Sequence, residues 1–309
     1  MKRAAKTSSS VPLAGEPKGS GALRKSPEPA KSSAGLYVIA TPIGHARDIT
    51  LRALDALGDC DLIAAEDTRV TAKLLAIHGI SKPLIAYNDH NAARERPKLL
   101  RRIRDGARVA LISDAGTPLV SDPGFKLVRE AIAEGLAVFA LPGASAPLTA
   151  LVLAGLPSDR FLFAGFLPSR AGERRSVLEE LKSLPSTLIF FESAQRLGES
   201  LAAMAEILGP RPAAMGRELT KFHEEVRRGT LSELAAHYAG APPPKGEVTL
   251  VIGPPHEAQA DFAKIDAALD AALPFMPVKA AAEMIAGLLD LPRRQIYERA
   301  LARKSGVRP

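Results

Sequence analysis

The sequence predicts two consecutive α/β domains followed by a small helical domain. Three observations carry this. Short apolar runs alternate with amphipathic helical stretches from residue 35 to about 253. A turn at GLPSDR (155–160) divides that alternation into two blocks. Residues 261–304 then lose the strand-like runs and read as helices alone. Strands alternating with helices argue for a parallel α/β sheet.

In the first block, LYVIA (36–40) reads as a strand, and Asp48 is placed to cap a helix over ITLRALDAL. DLIAA (61–65) is a strand, followed by the helix TAKLLAIHG. PLIAY (83–87), a basic helix near 92–105 and the buried strand RVALI (108–112) come next. The helix PGFKLVREAIAEG has Pro123 at its first turn, where a missing N–H costs nothing. AVFAL (137–141) and the apolar helix APLTALVLAG close the block.

In the second block, FLFAGF, TLIFF, PAAMGRE and GEVTLVIG read as strands. Leu197, Leu201, Met204 and Leu208 recur at helical spacing on one buried face. After GPP (253–255), PVKAAAEMIAGLLD and RRQIYERALARK form a helix pair around a Leu-Pro turn, loosely like a helix-turn-helix. The domains expected are therefore 34–156, 157–255 and 260–309. They follow a tail over 1–33 that lacks the apolar residues needed to drive folding.

The 309 residues carry a net charge of +7. The first 33 hold seven Lys/Arg and two acids, so most of that charge belongs to the tail and the body is close to neutral. A nucleic-acid face must then come from local clusters. One cysteine, Cys60, excludes an internal disulfide. With no secretory h-region in the tail and no run of about 18 apolar residues, a cytoplasmic chain without a membrane span is expected.

The most informative loop is SDAGTPLVSDPG (113–124), after the strand RVALI. A phosphate cradle needs free backbone N–H groups and usually a lysine. Here Pro118 and Pro123 each remove an N–H, and Asp114 and Asp122 would repel an anion. No GxxxxGK[ST] or strand-following GxGxxG exists elsewhere. Carboxylates and hydroxyls suit sugar hydroxyls, amines or a cationic ligand, and glycines let the backbone approach it closely. Two tight turns capped by Asp would give the same sequence, so context decides. ATPIG (40–44), AEDTR (65–69) and LPGASA (141–146) also follow strands of the first block. FFES (190–193) and GRELTK (216–221) follow strands of the second, so a cleft between the two is expected.

Taken in order, TPIGHARDIT, AEDTR, SDAGTPLVSDPG, LPGASA, AGLPSDRFLFAGFLP, FFES, RELTK and KGE resemble the tetrapyrrole-methylase superfamily. Within it they are most similar to the branch that methylates small-subunit ribosomal RNA. The resemblance spans about 35–304. It implies S-adenosylmethionine bound between two α/β domains, usually in a homodimer. It also implies transfer of the methyl group to a cytidine ribose 2′-hydroxyl in the decoding region of 16S RNA. Cofactor contacts implied by the motifs are Pro42, Ile43, Asp114, Gly116, Thr117, Val120, Ser145 and Ala146 in the first domain. In the second they are Phe191, Glu192, Leu219, Gly246 and Glu247. Three motifs depart from the pattern. His45 stands for Asn, Ala144 for Pro, and Ala194-Gln195-Arg196 for Pro-His-Arg, which removes a histidine as a base.

A ribose hydroxyl is a weak nucleophile, so a base or cation should assist it. The candidates are Lys221, the Glu66–Asp67 pair, and Glu192 or Glu224. Lys221 serves as a base only with a lowered pKa, otherwise as a cation or a surface lysine. Glu66, Asp67 and Arg69 equally suit an internal ion pair. The six scattered histidines offer no metal-ligand spacing, so no metal is expected. Three basic clusters are candidates for RNA: Arg94, Arg96, Lys98, Arg101, Arg102 and Arg104; Arg170, Arg174 and Arg175; and Arg293, Arg294, Arg299, Arg303 and Lys304. Two other readings stay open: a tetrapyrrole C-methyltransferase of the same fold, and a non-catalytic RNA-binding assembly factor.

Overall fold

A computed structural model describes residues 33–255, 262–289 and 291–305. The tail assigned to 1–33 lies almost wholly outside them. The first half is a five-stranded sheet built from β1 (Gly35–Ile39), β2 (Leu62–Ala65), β3 (Leu84–Ala86), β4 (Arg108–Ile112) and β5 (Val138–Leu141). The order is β3-β2-β4-β1-β5, and every pairing is parallel. Helices α1 (Leu51–Asp59), α2 (Thr68–Ile77), α3 (Ala92–Arg104), α4 (Phe125–Ala133) and α5 (Ala146–Ala154) connect the strands. Two apolar clusters form the core, one on each face of the sheet. The near-continuous burial of β2 and β4 follows from that coverage. Cys60 packs in one cluster, and burial pushes its thiol up to about 11, so it is inert core.

Two helix starts differ from expectation. Thr50, not Asp48, caps α1, its hydroxyl accepting from Ala53 N–H at 3.2 Å. Ile49 between them is turned into the core, which leaves Asp48 in a separate 3₁₀ turn (Ala46–Asp48). Pro123 precedes α4 rather than opening it, because Gly124 at φ 134° is the cap.

The second half holds β6 (Phe161–Phe166), β7 (Thr187–Ser193), β8 (Pro212–Arg217), β9 (Glu225–Thr230) and β10 (Glu247–Ile252), in the order β6-β7-β10-β8-β9. Only β6 and β7 pair in parallel, so the second sheet is mixed. Helices α6 (Ala171–Leu181), α7 (Leu197–Leu208) and α8 (Leu231–Tyr238) accompany it. β9 escaped the sequence reading because EVRRGT has no apolar alternation. As an edge strand it has little to bury, and its charges discourage further pairing. The helix α5 of the first half packs on the second sheet through Ala150, Leu151 and Ala154 against Ile189, Ala214 and Val251. Ile43 and Leu219 join this cluster from loops on either side. Helices α9 (Phe262–Ala272), α10 (Val278–Leu289) and α11 (Arg293–Lys304) share a core of their own.

Candidate active site

The loops after β1, β2, β4 and β5 gather at the carboxyl edge of the parallel sheet, where open α/β sheets hold ligands. An isolated bridge joins two of them: Thr41 N–H donates to Gly116 O at 2.8 Å and Gly116 N–H to Thr41 O at 3.0 Å. Two further bonds tie the loop after β2 to the loop after β4. Asp67 N–H donates to Asp114 Oδ1 at 3.0 Å, and Asp114 N–H donates to Glu66 Oε2 at 3.2 Å. Facing them are the end of β7, the turn 218–224 and the start of β10. Together these elements enclose a cleft of ≈ 460 Å³ between the halves. That lies within the range of about 300–1,000 Å³ usual for small-molecule sites.

Every expected cofactor position except Pro42 lines this cleft, and Pro42 is buried. Ser121, Asp122, Phe166, Gln195 and Thr249 also line it and were not singled out as contacts from sequence. Asp122 lay within the quoted loop, but nothing local tells whether one or both turn carboxylates face inward. Phe166 ends β6 and packs on Phe191 with ring centroids 5.5 Å apart.

The backbone is strained at this site. The described residues hold four non-glycine positions with positive φ, and all fall in the two loops facing one another: Leu119, Ser121, Glu218 and Thr220. Such residues persist only where surrounding contacts over-determine them, commonly at functional sites. Gly246, at φ 101°, has no room for a side chain, since a Cβ there would meet the Glu218 carboxyl.

The lining is acidic. Glu66, Asp114, Asp122, Glu192 and Glu247 line the cleft, and among the described residues no Lys, Arg or His does. Burial raises the pKa of Glu66 and of Asp114. Burial, reinforced by the nearby charge of Glu66, pushes Asp122 up to about 6. Such a wall favours a cationic ligand with hydroxyls and an amine, and repels a nucleoside phosphate. A sulfonium-bearing amino acid joined to a nucleoside meets that requirement, with Phe166 and Phe191 as apolar wall.

The acids differ in what they are free to do. The Glu192 side chain is buried and fully engaged: it accepts from Ser193 N–H at 2.7 Å and the Ser200 hydroxyl at 2.5 Å, and pairs with Arg196 at 2.6 Å. Glu224 is also engaged, its carboxylate accepting from Thr220 N–H at 2.7 Å. Neither is placed as a base. The Asp67 carboxylate caps α2 and pairs with Arg69 at 2.6 Å, which holds it down at about 2. This corrects Asp67 as a catalytic candidate, because a carboxylate so paired and so acidic is a poor proton acceptor.

Lys221 is likewise corrected as a base. Burial works against its charge, but pairing with Glu218 at 2.8 Å and Glu247 at 2.9 Å outweighs burial and raises its pKa. It is held as a cation on the cleft rim. A Cβ at Gly44 would meet Lys221 Cγ and Thr220 Oγ1, so the loop after β1 leans directly on this turn.

The basic clusters are mostly paired. Arg94 and Lys98 both hold Glu95, and Arg96 pairs with Glu130. Arg101 and Arg102 are exposed on α3. Arg170 pairs with Glu173, and Arg175 with Glu206. Arg174 is only 5% exposed, which removes it as an RNA contact: it is packed under α6 and reaches Glu199. On α11, Arg293 pairs with Glu283 and Arg294 with Glu298. Arg299 and Arg303 bind Asp266, so much of that cluster fastens α11 to α9.

Comparison with known proteins agrees with this geometry. The family described as Tetrapyrrole (Corrin/Porphyrin) Methylases matches residues 35–235, and the RsmI C-terminal HTH domain matches 259–304. The chain is 54% identical over 271 residues to "Ribosomal RNA small subunit methyltransferase I" of Mesorhizobium japonicum, covering 87% of this chain and 92% of that one. It is 45% identical over 278 residues to the protein of that name from Pseudomonas aeruginosa, covering 88% and 99%. Among solved structures it resembles diphthine synthase (TM-score 0.56, 17% identity, 71% of this chain and 89% of that one). It also resembles a Thermus thermophilus uroporphyrin-III C-methyltransferase complexed with S-adenyl homocysteine (TM-score 0.51, 19% identity, 71% and 97%). Two sheets meeting at an acidic cleft, a matching family description over most of the chain and close relatives along its length make this chain a member of the tetrapyrrole methylase family.

Proposed function

We propose that the chain is an S-adenosylmethionine-dependent methyltransferase that modifies a cytidine ribose 2′-hydroxyl in the decoding region of small-subunit (16S) ribosomal RNA. The observation that carries the reading is the cleft lined by five acidic and, among the described residues, no basic side chains, in a chain 54% identical to a ribosomal RNA small subunit methyltransferase I. The cofactor supplies an activated methyl group on a sulfonium. Asp114, Ser145, Ala146, Phe191 and Leu219 are the residues we assign to holding it, with Gly116 and Gly246 allowing close backbone approach.

The protein's own task is then to align a ribose oxygen and remove its proton. Asp122 is our candidate for that proton. It lines the cleft, it forms no ion pair among the described residues, and its raised pKa places it near the range where a base works. Glu66 is the second candidate, Lys221 a positioning cation. The RNA backbone stays outside the cleft, and the exposed Arg101, Arg102, Arg170 and Arg175 support phosphate contacts.

We further assign the protein to the cytoplasm and to a homodimer. Leu148 and Val152 leave an apolar stripe exposed on α5, which supports a second copy of this chain as its neighbour. Among the described residues no helix is long and apolar enough to cross a membrane, and no acid, histidine or cysteine group is arranged for a metal.

Tritium transfer from labelled S-adenosylmethionine to purified small subunits tests the activity, with naked RNA alongside. A single alkali-resistant, labelled dinucleotide establishes ribose methylation. No transfer with intact cofactor binding favours the tetrapyrrole reading. No transfer and no cofactor binding favours a non-catalytic assembly factor.

A further inference from the structure

We infer that Phe222 is a stacking platform for an unpaired nucleobase of the RNA substrate, beside the nucleotide whose ribose enters the cleft. The inference rests on the reading of the substrate as RNA. Phe222 is 96% exposed, the most exposed large apolar side chain among the described residues. Leaving such a ring in water forfeits the gain of burying it, so its position calls for a partner.

The ring stands on a turn that is rigidly made. Leu219 is buried in the interdomain cluster and lines the cleft. Glu218 and Thr220 hold left-handed backbone, and Lys221 N–H donates to Glu218 O at 3.0 Å. Thr220 N–H is taken by Glu224, and the Thr220 hydroxyl accepts from His45 N–H at 3.2 Å across the domain boundary. Lys221 is clamped to Glu218 and to the cleft-lining Glu247. Phe222 therefore projects from the rim, three residues beyond a cleft-wall side chain, on a turn braced from both halves. His223 packs edge-on to it, ring centroids 5.0 Å apart.

The surroundings choose the partner class. Lys221, His223 and Glu224 neighbour Phe222 along the chain, and His223 and Glu224 are themselves exposed, so the ring stands on a polar turn. A protein partner would want a contiguous apolar patch. A nucleobase has a flat apolar face and polar edges, and single-stranded RNA is recognised largely by stacking bases on aromatic side chains.

The test uses Phe222→Ala, Phe222→Leu and Phe222→Trp in the full-length protein. Phe222→Ala is expected to raise KM for small subunits about tenfold, leaving KM for S-adenosylmethionine and the solution mass unchanged. Phe222→Leu, which keeps apolar bulk without a π face, should behave like Ala. Because the sequence contains no tryptophan, Phe222→Trp creates a lone reporter. It should retain activity, and its fluorescence should be quenched when small subunits bind. Unchanged KM in Phe222→Ala, or no quenching by subunits that Phe222→Trp still methylates, overturns the inference while the RNA reading stands. A lower mass for Phe222→Ala overturns it in favour of a subunit contact. Failure of the unaltered protein to methylate any RNA removes the substrate reading and this inference with it.

Discussion

Lys221 Nζ lies 2.9 Å from Glu247 Oε2, and this contact ties the strained 218–224 turn to the wall of the cleft. A cation held between two carboxylates serves geometry rather than proton transfer. Lys221→Ala should lower turnover about tenfold and weaken cofactor affinity, while the midpoints of the pH–rate profile stay in place. Lys221→Arg should recover most of the loss. Steady-state kinetics from pH 5 to 9 checks this, and a shifted midpoint in Lys221→Ala would return Lys221 to the list of bases.

Asp122 faces Glu66 and Asp114, with Asp67, Asp89 and Arg69 further out in the same acidic environment. As a base it works only when ionised, so activity should rise through about pH 6 on the acid side. Asp122→Asn should lose that limb and about 100-fold or more in kcat, with cofactor affinity by calorimetry little changed.

The same group makes a stability prediction. Its folded pKa of about 6 lies above the ordinary aspartate value of 3.8, so between those values the folded protein binds the extra proton. Asp122 therefore contributes stability at low pH that is lost as pH rises through about 6. Asp122→Asn should melt higher than the unaltered protein at pH 7.5 and lose that advantage near pH 4, as thermal unfolding at both pH values will show.

Glu192 is 2% exposed, and its carboxylate is held by Ser193, Arg196 and Ser200. Glu192→Ala leaves Arg196 without its buried partner and Ser200 without its acceptor. A loss of about 3 kcal/mol in unfolding free energy is expected, measured by urea denaturation.

Exposed and buried arginines should separate cleanly. Arg101→Glu with Arg102→Glu should raise KM for small subunits and flatten its salt dependence, with kcat unchanged. Arg174→Ala should instead lower the melting temperature, because Arg174 is packed under α6 and bonded to Ser169 O and Glu199. Salt titrations of KM beside thermal melts distinguish the two.

The local sequence by itself determined the strands of the parallel sheet. After their charged first residues, runs such as RVALI and DLIAA are apolar at every position, and only a strand covered on both faces buries them so. It also pointed to the strand-end loops that line the cleft, because small-residue and acidic turns follow strand after strand. It missed β9, whose polar residues sit at an edge and leave no apolar period to read. Tertiary structure alone decided which charges are available. AEDTR reads the same whether its carboxylates face the ligand or their neighbours, yet folding sends Glu66 to the cleft and commits Asp67 to Arg69. Three basic clusters look alike in sequence, but partners 25–34 residues away neutralise Arg96, Arg174 and Arg299 and leave α3 to offer Arg101 and Arg102. Whether a charge is buried, paired or exposed depends on what distant segments bring beside it, and a local pattern carries no record of that.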